Sequence, residues 1–178
     1  MSGSFPFPIF LLDFEASGLG AESYPIEVGL AIWRGVDQPI ITCSALIQPA
    51  EYWDHWDWNA QSIHGIERDQ LEAGLSPALV AARLNALATG AIVYSDAPAV
   101  EVWWTETLYE AAEIEPTWGI GDVNDLVDRL DTAGAARFAR WLERAPKRHR
   151  AADDAERCLK GFARALGVSH VTAERRAL

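Results

Sequence analysis

Asp13 and Glu15, two carboxylates separated by one residue, are the side chains of this sequence best suited to metal chemistry. They follow a continuous apolar run, residues 9–12, which predicts a strand buried on both faces. Because the side chains of a strand alternate, both carboxylates leave the same face. Adjacent carboxylates repel and are costly to bury unless a cation lies between them, and oxygen ligands suit a hard divalent cation. The plainer alternative is one carboxylate that caps a turn and one that is solvated.

His149 and Asp154 form a second candidate pair near the other end of the chain. Asp154 lies four residues before Cys158 and so shares the apolar face of a helix predicted at about residues 152–166. His149 precedes that helix on a segment that can swing over a site, and near neutral pH a histidine can take a proton from water. The alternative is that Asp153 or Asp154 caps the helix and that His149 is a surface residue.

The composition predicts one globular α/β domain over residues 1–178. With 178 residues and 49% hydrophobic residues, the chain has room for a full core. No run is long and apolar enough to span a bilayer, and the first residues lack the basic charge of a signal peptide. Cys43 and Cys158 are predicted to be reduced core thiols. We therefore expect a cytoplasmic protein with no membrane partner; its oligomeric state is open, a homodimer included.

Charge is distributed unevenly along the chain. Residues 1–136 contain 4 basic and 21 acidic residues, a balance of −17, whereas residues 137–178 contain 11 basic and 5 acidic residues, a balance of +6. This asymmetry predicts a local positive field beside an acidic body, with a solvated Arg-rich helix as the alternative. Such a chain suits short or single-ended nucleic acid better than a long duplex, which needs many phosphate contacts.

The elements that must position these residues follow from hydrophobic periodicity and turn residues. Three strands come first, with a hairpin loop at 34–39, and the fourth strand follows a crossover helix that makes it parallel to the first. The predicted strands are 9–12 extended to the carboxylates, 26–33, 40–47 and 91–94; the predicted helices are 77–89, 98–112, 122–130, 133–144 and 152–166; loops are expected at 51–59 and 115–121.

Together these motifs resemble the DEDDh 3′–5′ exonucleases, a family that includes ribonuclease T, oligoribonuclease and polymerase proofreading subunits. The resemblance covers roughly residues 8–166. It rests on Asp13-x-Glu15 after the first strand, the Ile-His-Gly-Ile stretch at 63–66, an acidic residue after the fourth strand, and His149-x4-Asp154. It implies a ribonuclease H-like mixed sheet flanked by helices, two Mg²⁺ or Mn²⁺ ions, and removal of nucleotides from a 3′ end.

The sequence departs from the family pattern at two places. The first motif usually continues with threonine, where this chain has Ala16 and Ser17, so Ser17 keeps only part of a contact to the terminal nucleotide. The second motif is altered and leaves two candidates for its metal ligand. Glu101 matches in frame, and Asp96 matches by its position at the strand end. As alternatives, Glu101 is on a solvated helix face and Asp96 caps the helix that begins with Pro98.

The resemblance assigns roles to the remaining candidates. Asp13 bridges two cations about 4 Å apart, with Glu15, Asp154 and either Asp96 or Glu101 as further ligands, and His149 helps to activate water. Phosphate contacts are expected from Lys147, Arg148 and Arg150, although a solvated turn also explains them. Trp53, Trp56 or Trp58 is expected to stack on terminal bases, one or two of them at most. His64 is a further substrate-binding candidate, with a structural role as its alternative.

The predicted function is metal-dependent 3′–5′ exonuclease activity on single-stranded or 3′-overhang RNA or DNA and on short oligonucleotides. Two other classes are open at this point. One is a relative of the same fold that binds nucleotides or nucleic acid without cutting, which the altered second motif suggests. The other is an interaction domain whose acidic residues are surface charge. Manganese titration and turnover of a labelled oligonucleotide separate the three classes.

Overall fold

The buried strand that precedes Asp13 is β1, Ile9–Ala16, and it lies at the centre of a six-stranded mixed sheet. The computed structural model describes residues 5–178; residues 1–4, on which part of the signal-peptide prediction rests, lie outside the described residues. The other strands are β2 (Pro25–Trp33), β3 (Ile40–Leu46), β4 (Ile92–Ser95), β5 (Gly119–Asp122) and β6 (Ala173–Ala177). Their order across the sheet is β5-β4-β1-β2-β3-β6.

The strand pairings confirm the predicted antiparallel meander and the predicted parallel crossover. β1 pairs antiparallel with β2, and β2 pairs antiparallel with β3. β4 pairs parallel with β1, as the intervening helix requires. Two further parallel pairs, β4 with β5 and β3 with β6, extend the sheet at its two edges.

Helices cover both faces of the sheet and divide the core in two. They are α1 (Trp58–His64), α2 (Pro77–Ala88), α3 (Pro98–Ala112), α4 (Val123–Val127), α5 (Thr132–Arg144) and α6 (Ala151–Ala165), with a short 3-10 helix at Arg68–Ala73. The even-numbered residues of β1, from Phe10 to Phe14, pack in the core that includes α2 and α3. Ile9 and Leu11 pack in the core of α5 and α6. By strand alternation Asp13 and Glu15 therefore face α6, which packs on β1, β2 and β3.

The sequence predictions missed two strands, placed the end of one helix too late and assigned a loop where α1 begins. Residues 115–121 were predicted as a loop but contribute most of β5, a short strand that two glycines hide from a search for hydrophobic alternation. A Cβ at Gly121 would lie 2.7 Å from Ile92, so glycine allows the close pairing of β4 and β5. β6 was missed because this edge strand is mostly exposed and charged. The helix predicted at 122–130 ends earlier, and α1 begins inside the predicted loop 51–59.

The cysteine prediction holds for the part of the chain that the structure describes. Cys43 and Cys158 are both free and buried, on opposite sides of the sheet. Among residues 5–178, no helix is both long and apolar enough to cross a membrane.

Candidate active site

A cleft opens where β1 ends, and most of the residues predicted to be catalytic or metal-binding line it. Its volume is about 390 Å³. β1, α1, α3 and the segment before α6 each contribute to its walls. The polar side chains of the lining are Asp13, Glu15, Asp57, Asn59, His64, Glu101, Lys147, His149 and Asp154. Residues that are far apart in sequence therefore share one cavity.

Glu15, His149 and Asp154 form the tightest group in the cleft. One ligand atom of each, a carboxylate oxygen or a ring nitrogen, lies within 4.8 Å of the others. Asp13 is two residues before Glu15 on the same face of β1 and is only 9% exposed. Carboxylate oxygens in this density suit Mg²⁺ or Mn²⁺, which prefer oxygen ligands.

The loop that presents His149 is held by the Asp154 carboxylate. One oxygen of Asp154 accepts the backbone N–H of Arg148 and the other accepts the backbone N–H of His149, both at 2.9 Å. His149 has φ of +54°, in the left-handed region that costs a non-glycine residue about 1 kcal/mol or more. Asp154 therefore holds the loop before α6 and does not cap the helix, whose N-cap residue Arg150 receives no side-chain cap, so the plainer sequence interpretation was wrong on this point. Its position in the cleft and its remaining lone pairs still suit a cation.

A second anchor of this loop was missed from the sequence. Glu27 on β2 is buried and accepts two hydrogen bonds from the Arg150 guanidinium, at 2.6 and 3.0 Å, and one from the Ala151 N–H, at 3.0 Å. Glu27 pairs with Glu15 across the strands, and Gly29 pairs with Asp13. A Cβ at Gly29 would lie 2.2 Å from the Ala151 backbone, so glycine lets α6 begin directly on the sheet.

Glu27→Ala is expected to destabilise the protein by about 1–3 kcal/mol, because a buried N–H and a guanidinium lose their acceptor. Urea unfolding measures the loss of stability. The matched control is Glu174→Ala, which removes an exposed pair with Arg176 and should cost less than about 1 kcal/mol. Equal behaviour of the two variants would contradict the anchor role of Glu27.

The surroundings of the carboxylates in the cleft favour their protonated form. Burial raises the pKa of Glu15 to about 8, with further contributions from Glu27 and Asp154. Burial also raises the pKa of Glu101 to about 8, opposed by a contact with the Phe14 backbone. Burial, with Glu101 and Glu15 nearby, raises the pKa of Asp13 well above its usual range. One oxygen of Glu101 is buried with no hydrogen-bond partner among the described residues. This donor set fits a cation, which would offset the repulsion.

These shifts predict that metal-free protein loses stability between pH 6.5 and 8. A carboxyl group with a pKa near 8 when folded and near 4.5 when unfolded binds more protons in the native state over that window. The free energy of unfolding therefore falls as the pH rises. Burial lowers the pKa of His64, whose opposing contribution is confined to pH values below about 6.5.

Thermal melts in EDTA across this window measure the effect. Glu101→Gln should flatten the decline, and manganese should do the same in the wild type, because a bound cation favours the ionised carboxylates. A melting temperature that rises from pH 6.5 to 8 in EDTA would exclude the protonated cluster.

The two candidates for the second motif occupy different surroundings. Glu101 is 3% exposed and lines the cleft with Asp13 and Glu15. Asp96 is paired with Lys147, at 3.0 Å, on a partly exposed surface. Asp96 also borders a crevice of about 10 Å³ beside Asp13, room for about one water. The prediction left both open, and the geometry favours Glu101.

Three predicted substrate contacts do not lie in the cleft. Ser17 is fully buried, and its hydroxyl accepts the Tyr24 N–H at 3.1 Å, so it closes a turn. Trp53 is 7% exposed and stacks on Tyr24, with ring centroids 5.1 Å apart. Trp56 donates its indole N–H to Gln61 at 2.8 Å and packs edge-on against His64, outside the cleft lining. Core packing and local hydrogen bonds occupy the three side chains, which gives them a structural role, and their contact with substrate stays an untested prediction.

The remaining predicted substrate contacts differ in whether their side chains line the cleft. His64 lines the cleft, but it is buried and its Nδ1 accepts the Ile66 N–H at 3.0 Å, which supports the structural role. Arg150 is held by Glu27 rather than directed at the cleft. Arg148 is exposed and lines a neighbouring cavity. Among the Lys and Arg side chains of residues 5–178, that of Lys147 lines the cleft.

Sequence reasoning missed the apolar rim of the cleft. Leu19, Ile63 and Val100 line it and are 82%, 57% and 40% exposed. In the sequence, each is a large aliphatic side chain on a loop or helix, a signal that could have identified the rim. Trp58, one of the three tryptophans predicted to stack on bases, is 71% exposed at the start of α1.

Comparison with solved structures gives the class of the fold. The structural neighbours, each matched with a probability of 1.00, are 3′-exonucleases, among them a DEDDh family member. This confirms the predicted ribonuclease H-like fold, a mixed sheet flanked by helices. The sequence identities, 14–16%, are too low to show more than the fold.

Three neighbours illustrate the match. A 3′-exonuclease solved in recognition of the histone mRNA stem-loop has a TM-score of 0.71 and 14% identity, over 94% of this chain and 84% of that chain. The nuclease domain of 3′hExo, a DEDDh family member bound to rAMP, has a TM-score of 0.64 and 16% identity, over 93% and 94%. E. coli Exonuclease I with a dA16 oligonucleotide has a TM-score of 0.67 and 15% identity over 90% of this chain.

The chain spans only 41% of the length of Exonuclease I, so it matches one part of that enzyme. No family model matches the sequence, and no curated protein matches it.

Proposed function

We propose that this protein is a metal-dependent 3′–5′ exonuclease that hydrolyses phosphodiester bonds at the 3′ end of single-stranded or short RNA or DNA. The observation that carries the proposal is the convergence of Asp13, Glu15, Glu101, His149 and Asp154 on one cleft. That cleft belongs to a fold shared with 3′-exonucleases. The proposed ligands all come from one chain, so the site does not require the homodimer considered from the sequence.

Asp13, Glu15, Glu101 and Asp154 are the residues that would hold two Mg²⁺ or Mn²⁺ ions. When bound, such ions supply positive charge for the attacking and leaving oxygens of a phosphoryl transfer. The four carboxylates and Asp57, opposed by Lys147, make the formal charge of the cleft strongly negative when all are ionised. This negative charge repels an anionic phosphate unless cations are bound first. We therefore expect activity to depend strictly on metal.

His149 is the proposed general base. Its backbone is fixed by Asp154, and its ring nitrogen lies within 4.8 Å of a Glu15 oxygen, so the imidazole faces the carboxylates. Its exposure gives it access to water, from which it takes a proton in the hydrolytic step. Arg150 and Glu27 act as positioning residues, since they secure the segment from which the imidazole projects.

The shape of the cleft supports an unpaired 3′-terminal nucleotide as the substrate. Leu19, Ile63 and Val100 present exposed apolar surface beside the carboxylates. A terminal base can pack on that surface while its phosphate meets the metal site, and a base that is paired within a duplex offers no free face. The acidic remainder of the chain adds few phosphate contacts, so binding should depend weakly on salt.

The test compares 3′-labelled and 5′-labelled single strands, 3′ overhangs and blunt duplexes in manganese, with salt titrations. We expect stepwise release of nucleotides from the 3′ end, with single strands preferred. The control protein is His149→Gln, which should bind the strands but turn over far more slowly. Binding without cleavage by the wild type would favour a non-catalytic relative. Preference for blunt duplex, or a steep salt slope, would contradict the substrate assignment.

A further inference from the structure

A second cavity adjoins the cleft on the far side of the loop that carries His149. Its volume is about 360 Å³, and its walls come from the end of α5, the outer side of α6 and one residue of β6. Asp154 lines both cavities, and Arg148 lines the second one while its chain neighbours Lys147 and His149 line the cleft. The two cavities therefore share a wall, and we call the second one the α5–α6 groove.

The groove contains four cationic side chains. Arg148 is exposed, and its side chain has no hydrogen-bond or ion-pair partner within residues 5–178. Arg157 donates to the backbone oxygens of Ala145 and Leu142, which leaves its charge without a carboxylate. Lys160 pairs with Glu156, and the largely exposed Arg175 pairs with Asp153. Phosphates can compete with those two carboxylates at the rim.

Groups that suit a nucleobase lie in the same groove. Glu156 is 8% exposed, and its second carboxylate oxygen is buried without a hydrogen-bond partner in the described chain. That oxygen is closed off from solvent, so a nucleobase N–H can donate to it only after the Glu156 side chain turns toward the groove. Trp141 adds a half-buried aromatic surface beside it.

We propose that the α5–α6 groove binds upstream nucleotides of the substrate strand, with phosphates on Arg148, Lys160 and Arg175 and a base beside Glu156 and Trp141. This inference rests on the proposed function, because it continues the strand that enters the cleft by its 3′ end. Charge supports it: four cationic side chains of the groove face Asp153, Asp154 and Glu156, a formal balance of +1, whereas the ionised cleft is negative. A polyanion is therefore attracted more to the groove than to the metal-free cleft.

The experiment compares a substrate that fills only the cleft with strands that reach the groove. Thymidine 5′-p-nitrophenyl phosphate is the single-nucleotide probe, and single strands of increasing length are the others. For the wild type we expect kcat/KM to rise with length by about tenfold or more over the shortest strands.

The double variant Lys160→Glu, Arg175→Glu should lose that gain and hydrolyse the single-nucleotide ester at the wild-type rate. Its salt slope for strand binding should fall by about 1.4, since each phosphate contact to a single strand contributes about 0.7.

The matched control is Arg34→Glu, Arg129→Glu, which changes net charge equally at exposed positions away from the groove. It should retain the gain with length. A melting temperature for each variant checks folding, and Lys160→Gln, Arg175→Gln repeats the test without new negative charge.

A length gain that survives in both groove variants would overturn the inference, and so would an equal loss in the control. Wild-type protein that cleaves the ester but shows no rise in kcat/KM with strand length would also overturn the inference. Failure of the wild type to cleave any substrate would instead reject the proposed function. Strand binding measured by fluorescence anisotropy then tests the groove alone, with weaker binding of the groove variants supporting it and unchanged binding overturning it. Equal competition by inorganic polyphosphate would exclude the base contact.

Discussion

Asp13→Asn should abolish manganese binding and reduce hydrolysis by on the order of a thousandfold or more, equivalent to about 4 kcal/mol of transition-state stabilisation. Asp13 is the most enclosed carboxylate of β1, and Glu15, Glu101 and Asp154 all lie around it. Asparagine has the same shape but no charge, so the ion loses its central ligand while the packing stays intact. The metal-free variant should also melt at a higher temperature near pH 8, because burial opposes the charged form of Asp13.

Calorimetric titration with manganese and melts with and without the ion make the measurement. Wild-type protein should gain melting temperature with manganese, because a ligand that binds only the native state stabilises it. The control is Asp37→Asn in the exposed hairpin between β2 and β3, which should behave as wild type. A manganese-dependent rise that survives in Asp13→Asn would falsify the assignment of this residue, and no rise in the wild type would remove the metal site altogether.

Glu101→Gln is the second substitution from which we expect a large loss, about 10²–10³-fold in turnover together with weaker manganese binding. The side chain is buried at the cleft with one unpaired oxygen, as expected of a ligand awaiting a cation. Asp96→Asn should retain most activity, because it removes only a partly exposed pair with Lys147, worth about 1 kcal/mol or less.

Glu110→Gln, an exposed acidic residue on the same helix, serves as the matched control. The same assays are run on all three variants and on the wild type. If Asp96→Asn loses more turnover than Glu101→Gln, the ligand has been assigned to the wrong residue. If neither loses turnover, the second motif lies elsewhere.

The central part of the fold was predictable because its signals are local. The apolar run before Asp13, the hairpin between β2 and β3, and Pro77 and Pro98 at helix starts each fix an element within a few residues. β5 and β6 were not predictable, since the backbone partners β4 and β3 decide them rather than their own side chains. A strand of glycines or of exposed charges has no hydrophobic period to detect.

The site was predictable where a motif carries it and not where packing decides. Asp13, Glu15, His149 and Asp154 were nominated by spacing and meet in one cleft. The tryptophans of residues 53–58 were nominated by residue type, but whether a large aromatic side chain lies in the core or on the surface depends on its tertiary neighbours, here Tyr24 for Trp53. Glu27 gave no signal, because its value lies in a contact with Arg150 that only the folded chain creates.

The pairing of β1 with β2 has a consequence for how the site comes into existence during folding. Asp13 and Glu15 face Gly29 and Glu27 across a hairpin whose strands are close in sequence, so this half can form early and locally. Glu101 and Asp154 arrive only when α3 and α6 dock, with a far longer chain closed between them and β1. Ion affinity should therefore require docked α3 and α6, and manganese should slow unfolding while leaving the folding rate unchanged.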